Sequence, residues 1–170
     1  PPLPPLNRIV ALGTALGEFV NTLSGRILIM ASGGLSHDPP IPNLTNAAPA
    51  VRERLIVGGT LAPDARAARQ KRVLDDASAQ AAGTSDQRPL NPEWDRKFLD
   101  DLEAFDFESI RSMSDDSITA DAGCGGHEIR TWIATAAAAQ ACGINSLERI
   151  YYRAIPEWIA GYGLMKGVNL

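Results

Sequence analysis

One apolar run of strand length, Ile27-Leu-Ile-Met-Ala31, stands almost alone in a chain whose other periodic segments are helical until Arg149. A strand buried without neighbours leaves its N–H and C=O groups unpaired, so the scarcity of strands limits what this chain can fold into. The run stops at Gly33-Gly34 and hands over to Leu35-Ser-His37, which carries one of only two histidines. That order suggests a buried strand whose loop presents Ser36 and His37 at its C-terminal edge, where open α/β sheets place their ligands. The loop is a candidate active-site loop.

Upstream, Asn7 to Leu23 sets Ile9, Leu12, Leu16, Phe19, Val20 and Leu23 on one helical stripe and ends at Ser24-Gly25, where a C-cap glycine is expected. Helix followed by strand makes an α/β unit. The loop from Ser36 to Asn46 holds Pro39, Pro40 and Pro42, which fix φ and stiffen the chain without forming a ladder. Helices are then expected over 48–57, 63–82, 92–105 and 107–113, with Pro63 and Pro92 in first-turn positions and Asn91 as an N-cap. The 63–82 helix carries Arg66, Arg69, Lys71, Arg72, Asp75 and Asp76 and few large apolar residues, so it is expected to be a solvated outer helix. Another short helix begins at Ser114, Gly123-Cys-Gly-Gly126 opens a loop, and a last helix runs from about His127 to Cys142 and stops at Gly143. The segment 149–163 is rich in aromatic and β-branched residues and predicts one or two strands broken at Pro156. The fold class is α/β, rich in helix and short of strands. The missing strands are expected from elsewhere.

Composition narrows the function. The formal net charge is −4, and the basic cluster Arg66 to Arg72 shares its segment with Asp64, Asp75 and Asp76, so no nucleic-acid role is assigned. No apolar stretch reaches the roughly 20 residues that span a bilayer. Cys124 and Cys142 form no CxxC pair, which fits a reducing cytosol and a cytoplasmic protein. The first residue is Pro1, and 1–6 has neither the basic start nor the apolar core of a signal peptide, so the chain is expected to be a piece of a longer one.

Few residues here can carry chemistry. Ser36-His-Asp38 invites a hydrolase reading, but Gly34-Leu-Ser36-His37-Asp38 lacks the closing glycine of a nucleophile elbow, and sequence neighbours rarely form a triad. His127-Glu128 is not a zinc-protease signature, because Thr131 occupies the place of the second histidine. Taken alone, His37 fits a loop histidine bonded to backbone, and Glu128 fits an acid at a helix start. Joined, a strand-end histidine and a helix-start glutamate, each introduced by glycines, are expected to converge on one cavity: the carboxylate as a hard ligand, the imidazole as acid or base. Two ligating groups are too few for an iron site.

Four blocks, Ser32-Gly-Gly-Leu-Ser-His-Asp-Pro-Pro-Ile-Pro42, Pro89-Leu-Asn-Pro-Glu-Trp-Asp95, His127-Glu-Ile-Arg-Thr-Trp132 and Tyr151-Tyr-Arg-Ala-Ile-Pro-Glu-Trp-Ile-Ala-Gly161, occur in order along the chain. Together they resemble the C-terminal half of the class III, LigB-type extradiol catechol dioxygenases. The resemblance implies a three-layer α/β/α fold of which residues 1–170 are the C-terminal portion of a single catalytic domain. It implies a non-haem Fe(II) enzyme that uses O₂ to open a catechol bearing a propionate or acrylate side chain, as in 3-phenylpropionate degradation. In that family two histidines and one glutamate hold the iron, and the glutamate matches Glu128. The histidine that matches His37 handles protons and is not a ligand. Both ligand histidines lie in the family's N-terminal half, which this chain lacks, so the fragment alone is expected to be inactive and unable to hold catalytic iron.

Trp132, one helical turn after Glu128, is a candidate to pack beside the site, and Tyr152, Ile155 and Pro156 are candidates to line it. His127 is a candidate behind the metal ligands, and Arg130 or Arg153 for the substrate carboxylate. The family forms multimers, and an exposed sheet edge encourages self-association, so a homo-oligomer is expected. The competing reading is non-enzymatic: a helix-rich structural or interaction module.

Overall fold

A computed structural model of the chain describes residues 3–42, 44 and 47–167. Seven α-helices among them run in order: α1 (Leu6–Val20), α2 (Pro49–Val57), α3 (Pro63–Ala82), α4 (Pro92–Glu103), α5 (Phe107–Ser112), α6 (Asp115–Ala122) and α7 (Ile129–Ala141). Two strands follow, β1 (Glu148–Ile155) and β2 (Ala160–Lys166). They pair antiparallel with Arg153 opposite Tyr162, and a 3-10 turn over Pro156–Trp158 joins them. The break expected at Pro156 is where the hairpin turns, with Ile159 at φ 50° completing it in the left-handed region.

The helix starts follow from local chemistry. Proline opens α2, α3 and α4, where its missing N–H costs nothing. The Asn91 side chain caps α4 by accepting from Trp94 N–H at 3.1 Å, and Ser114 with Ser117 forms a capping box on α6. α3 buries no residue along its length, as its charge predicted. α4 is amphipathic: Asp95, Phe98, Leu99 and Leu102 are buried on one face, facing β1. The core joins these to Leu6, Ile9, Val10, Leu35, Ile110, Ile118, Ile129 and Ile133.

Two expectations need correction. The first helix runs from Leu6 to Val20, not to Leu23, and its buried face is Leu6, Ile9, Val10, Gly13 and Gly17. Leu12, Leu16, Phe19 and Leu23 of the anticipated stripe are exposed. Close approach decides this: a Cβ on Gly13 would lie 2.2 Å from the Ala134 carbonyl oxygen, and one on Gly17 would lie 2.3 Å from that of Ala138. The two glycines let α1 settle onto the alanine-rich α7, a fit no bulky stripe allows.

The second correction concerns Ile27 to Ala31, which forms no strand and is not buried: Leu28 is 79% and Met30 78% exposed. Among the described residues β1 and β2 pair only with each other, so nothing offers this run a ladder. An apolar run becomes a strand only when a neighbour takes its backbone groups. Of the loop expected from Ser36 to Asn46, residues Asn43, Thr45 and Asn46 lie outside the described residues.

Candidate functional site

Residues 32–38 cross the end of the β2 hairpin and are tied on every side. Leu35 N–H donates to the Gly161 carbonyl at 3.2 Å, and Gly161 N–H returns a bond to the Ser36 carbonyl at 2.9 Å. His37 N–H donates to the Ala122 carbonyl at 2.8 Å, and Gly125 N–H donates to the His37 carbonyl at 3.0 Å. Thr131 Oγ1 donates to the Ser32 carbonyl at 3.1 Å, and Trp132 Nε1–H to the Gly33 carbonyl at 2.8 Å. Leu35 is fully buried, which anchors the loop in the core.

These ties carry His37 to Glu128. Nε2 of the imidazole lies 3.7 Å from Glu128 Oε1, with the His37 side chain 11% exposed and that of Glu128 55%. Gly34 N–H donates to Glu128 Oε2 at 2.7 Å, so one carboxylate oxygen holds the loop and the other faces the imidazole. His37 Nδ1 sits 2.8 Å from the Leu35 carbonyl oxygen. A carbonyl only accepts, so Nδ1 carries the proton and neutral His37 keeps its lone pair at Nε2.

The glycines of both motifs exist to admit this ring. A Cβ on Gly34 would meet His37 Cε1 at 2.6 Å, and a Cβ on Gly125 would meet Nε2 at 2.2 Å. Below the loop, Asp38 braces the Gly123–Gly126 segment by accepting from Cys124 N–H at 2.9 Å and from Arg88 N–H at 3.4 Å. Burial opposes ionisation of Asp38, but hydrogen bonds from Cys124 and Arg88 outweigh it and hold the carboxyl below its ordinary range. Burial and the neighbouring Asp38 push the Cys124 thiol up to about 11. Both cysteines are free.

The structure separates the remaining candidates. Trp132 stands beside the loop, its indole N–H donating to the Gly33 carbonyl. Tyr152 lies beneath it, its hydroxyl donating to Asp95 Oδ2 at 2.7 Å, and burial followed by Asp95 holds that phenol well above its ordinary range. Pro156 opens the 3-10 turn of the hairpin, and Ile155 ends β1. His127 turns away from the pair: Thr119 Oγ1 lies 2.8 Å from Nε2, and Arg130 donates to Nδ1 at 2.8 Å. Burial, then the Arg130 charge, lowers the basicity of His127. Arg130 is committed as well, to Asp115 Oδ1 at 2.5 Å and the Pro4 carbonyl at 3.0 Å, with 7% exposure. Arg153 is exposed on β1.

Asp95 was not among the candidates, and the structure puts it under Ser36. It is fully buried and accepts from Ser36 N–H at 2.7 Å and Ser36 Oγ–H at 2.9 Å. Burial pushes its carboxyl up, against the hydrogen bonds from Tyr152 and Ser36. The signal was legible: an acid in the apolar i, i+3, i+4, i+7 register of α4. Among the described residues no three His, Cys, Asp or Glu side chains cluster as a metal site. Glu128 offers one hard carboxylate donor to an Fe(II) ion, and the ion's remaining protein ligands would come from outside this set.

The model of the family described as "Catalytic LigB subunit of aromatic ring-opening dioxygenase" matches residues 1–163. A protein of Cupriavidus pinatubonensis named 2,3-dihydroxyphenylpropionate/2,3-dihydroxicinnamic acid 1,2-dioxygenase is 46% identical over 165 residues, covering 97% of this chain and 52% of that protein. Proteins of the same name from Rhodococcus jostii and Klebsiella pneumoniae are 44% and 46% identical, covering 98% and 99% of this chain and 53% and 54% of theirs. The chain spans about half the length of the curated relatives it matches. With the family model matched over nearly every residue, the chain belongs to the LigB family of aromatic ring-opening dioxygenases.

Proposed function

We propose that this chain supplies the proton-handling side and one iron ligand of an extradiol dioxygenase that opens catechols bearing a propionate or acrylate side chain, the remainder of the site coming from the length its relatives have and this chain does not. One observation carries the reading: in a chain of this family, a loop histidine and a helix-start glutamate far apart in the sequence meet at 3.7 Å. The substrates for which the relatives are named support the choice of catechol.

In this reading Glu128 would hold Fe(II), its Oε2 steadied by Gly34 N–H, and two histidines from the companion half would complete the donor set. Iron, when bound, supplies the activation of O₂ and the coordination of the catecholate. The chain's own residues manage protons and position. His37 accepts a catechol hydroxyl proton at Nε2, because Nδ1–H is occupied by the Leu35 carbonyl, and it returns that proton to the ring-opened product. Trp132 steadies the loop through its indole N–H on the Gly33 carbonyl. Arg130 is too deeply engaged to meet the substrate carboxylate, and the chain offers it no buried alternative among the described residues.

The exposed run at Ile27, Leu28 and Met30, with Leu12, Leu16 and Phe19 on α1, is a surface for that companion half, and an assembly of several whole chains is part of the same reading. No helix among the described residues is long and apolar enough to cross a membrane.

The test is a chimera in which this chain replaces the matched half of the Cupriavidus pinatubonensis relative, loaded anaerobically with Fe(II) and given 2,3-dihydroxyphenylpropionate and O₂. A yellow ring-opened product is expected, and a folded, iron-replete chimera that opens no ring would overturn the proposal. His37→Ala should keep iron and lose most turnover, whereas Glu128→Ala should lose iron. The opposite pattern exchanges their roles.

A further inference from the structure

Asp95 is a fully buried carboxylate that no cation approaches within bridging distance among the described residues. Burying an acid this way is expensive, and stability alone would favour an apolar residue of the same shape on the α4 face between Leu35 and Phe98. What Asp95 has that such a residue lacks is direction. It takes three donors: Ser36 N–H on Oδ1, and Ser36 Oγ–H and Tyr152 O–H on Oδ2. Asn91 N–H donates to Ser36 Oγ at 2.9 Å, which orients that hydroxyl toward Asp95. A Cβ on Gly161 would fall 2.2 Å from Oδ2, so the hairpin closes tightly over the carboxylate.

The Ser36 N–H and the Leu35 carbonyl belong to one peptide unit, which is planar and, like every described bond, trans. Its N–H therefore points down to Asp95 while its C=O points the opposite way, to His37 Nδ1 at 2.8 Å. Fixing one end of a rigid plane fixes the other. We infer that Asp95 is the positioning residue for His37: by clamping Ser36 N–H from beneath, it aims the Leu35 carbonyl that holds the imidazole in its Nδ1–H tautomer with Nε2 turned to Glu128. The inference deepens the proposed proton-handling role of His37 and rests on it for its functional meaning, but its test requires neither iron nor turnover.

The chain has two histidines, and their tautomers are opposite. His127 Nδ1 faces an Arg130 guanidinium, which only donates, so His127 carries its proton on Nε2. Histidine-selective ¹⁵N labelling of the full chain therefore yields one Nδ1–H ring and one Nε2–H ring. Asp95→Leu should leave the His127 signals and the core methyls of Ile118 and Ile133 in place. It should also release the His37 Nδ1 proton, whose solvent exchange should quicken about ten- to a hundredfold, the range set by losing one buried hydrogen-bond partner. Asp95→Asn, which can still turn an oxygen to Ser36 N–H, should restore the unaltered His37 signals. A folded Asp95→Leu chain with unaltered His37 signals would overturn the inference, as would an Asn variant no better than Leu. Should Asp95→Leu not fold, the unaltered chain decides: the Ser36 amide and the His37 Nδ1 proton, each taken relative to its own intrinsic exchange rate, should show matching protection, and unlinked protection would overturn the inference. Failure of ring opening in the chimera, by contrast, bears on the proposed function and leaves these signals as they are.

Discussion

Replacing Gly125 by alanine should separate function from stability. The new Cβ would stand 2.2 Å from His37 Nε2 and 2.3 Å from Cδ2, whereas ordinary contact begins at 3.4 Å, so the ring must retreat by roughly 1.2 Å. Gly125 lies in a 3-10 turn at negative φ, and the atoms its Cβ would strike are those of one side chain. An imidazole pushed off its rotamer costs about 0.5–1.5 kcal/mol, and the stiffer unfolded chain of alanine recovers about 0.4–1 kcal/mol. The net change in stability is therefore within about 1 kcal/mol, a shift of about 2–4 °C at most in Tm. Catalysis is less forgiving, because displacing a proton-handling group by about 1 Å costs on the order of 100-fold in kcat. The comparison is Gly123→Ala, where φ is +79° and the Cβ would lie 2.5 Å from the His37 carbonyl oxygen. Backbone cannot swing aside, so left-handed strain and the clash together should cost about 2–4 kcal/mol. Thermal unfolding of the chain and kcat of the chimera measure the two effects. Were Gly125→Ala to turn over normally, or to melt as early as Gly123→Ala, the placement of His37 between the glycines would be wrong.

At the α1–α7 contact, Gly13→Ala should destabilise the chain although alanine is the better helix former by about 1 kcal/mol, because overpacking against the Ala134 carbonyl costs about 1–3 kcal/mol and forfeits contact along the whole seam. A rise in the urea midpoint would show that the helices are farther apart than 2.2 Å allows. The folded Asp38 carboxyl titrates below its ordinary value of 3.8, so its stabilisation is present above that pH and is lost as pH falls through the folded value. Asp38→Asn should accordingly be less stable than the unaltered chain at pH 7, with the gap closing below about pH 4; a gap independent of pH would remove the carboxylate from the account. With its thiol held up to about 11, Cys124 should alkylate slowly at neutral pH despite its exposure, and faster in Asp38→Asn.

Local chemistry made the middle of the chain legible. Proline at the first turn and side-chain caps bracket α3, α4 and α6 to within a residue or two, because these signals act on the backbone beside them. Two features are settled at a distance and were misread or missed. Hydropathy favours the stripe through Leu12 and Leu16, but the seam on α7 is chosen by Gly13 and Gly17, whose contribution is absence of bulk. The run at Ile27 has every local mark of a strand, yet strand formation is decided by a partner, and no described residue provides one. The site divides the same way. His37 and Glu128 announce themselves by flanking glycines, and the structure explains why glycines are needed there. Asp95 reads as a surface acid within the polar-looking Asn91-Pro-Glu-Trp-Asp95, and only its register with Phe98, Leu99 and Leu102 marks it as facing inward.

The two deficits of this chain lie side by side. Among the described residues Ile27 to Ala31 has no pairing strand and the His37–Glu128 pair has no third metal donor, and only Ser32 to Ser36 separates one from the other. At about 3.3 Å per residue, a strand pairing beside Met30 would end roughly 13 Å along the chain from Gly34, whose N–H already holds Glu128. In open α/β sheets the residues just past strand ends build the site, so a polypeptide that paired with this run would bring its own strand-end loops near Glu128. The glutamate is half-exposed while Ser36, Leu35 and Asp95 beside the loop are buried. In the proposed reading, pairing at Ile27 to Ala31 and binding of a metal at Glu128 would be coupled through the short segment between them, and the loop that Asp95 holds is the part this chain keeps preformed.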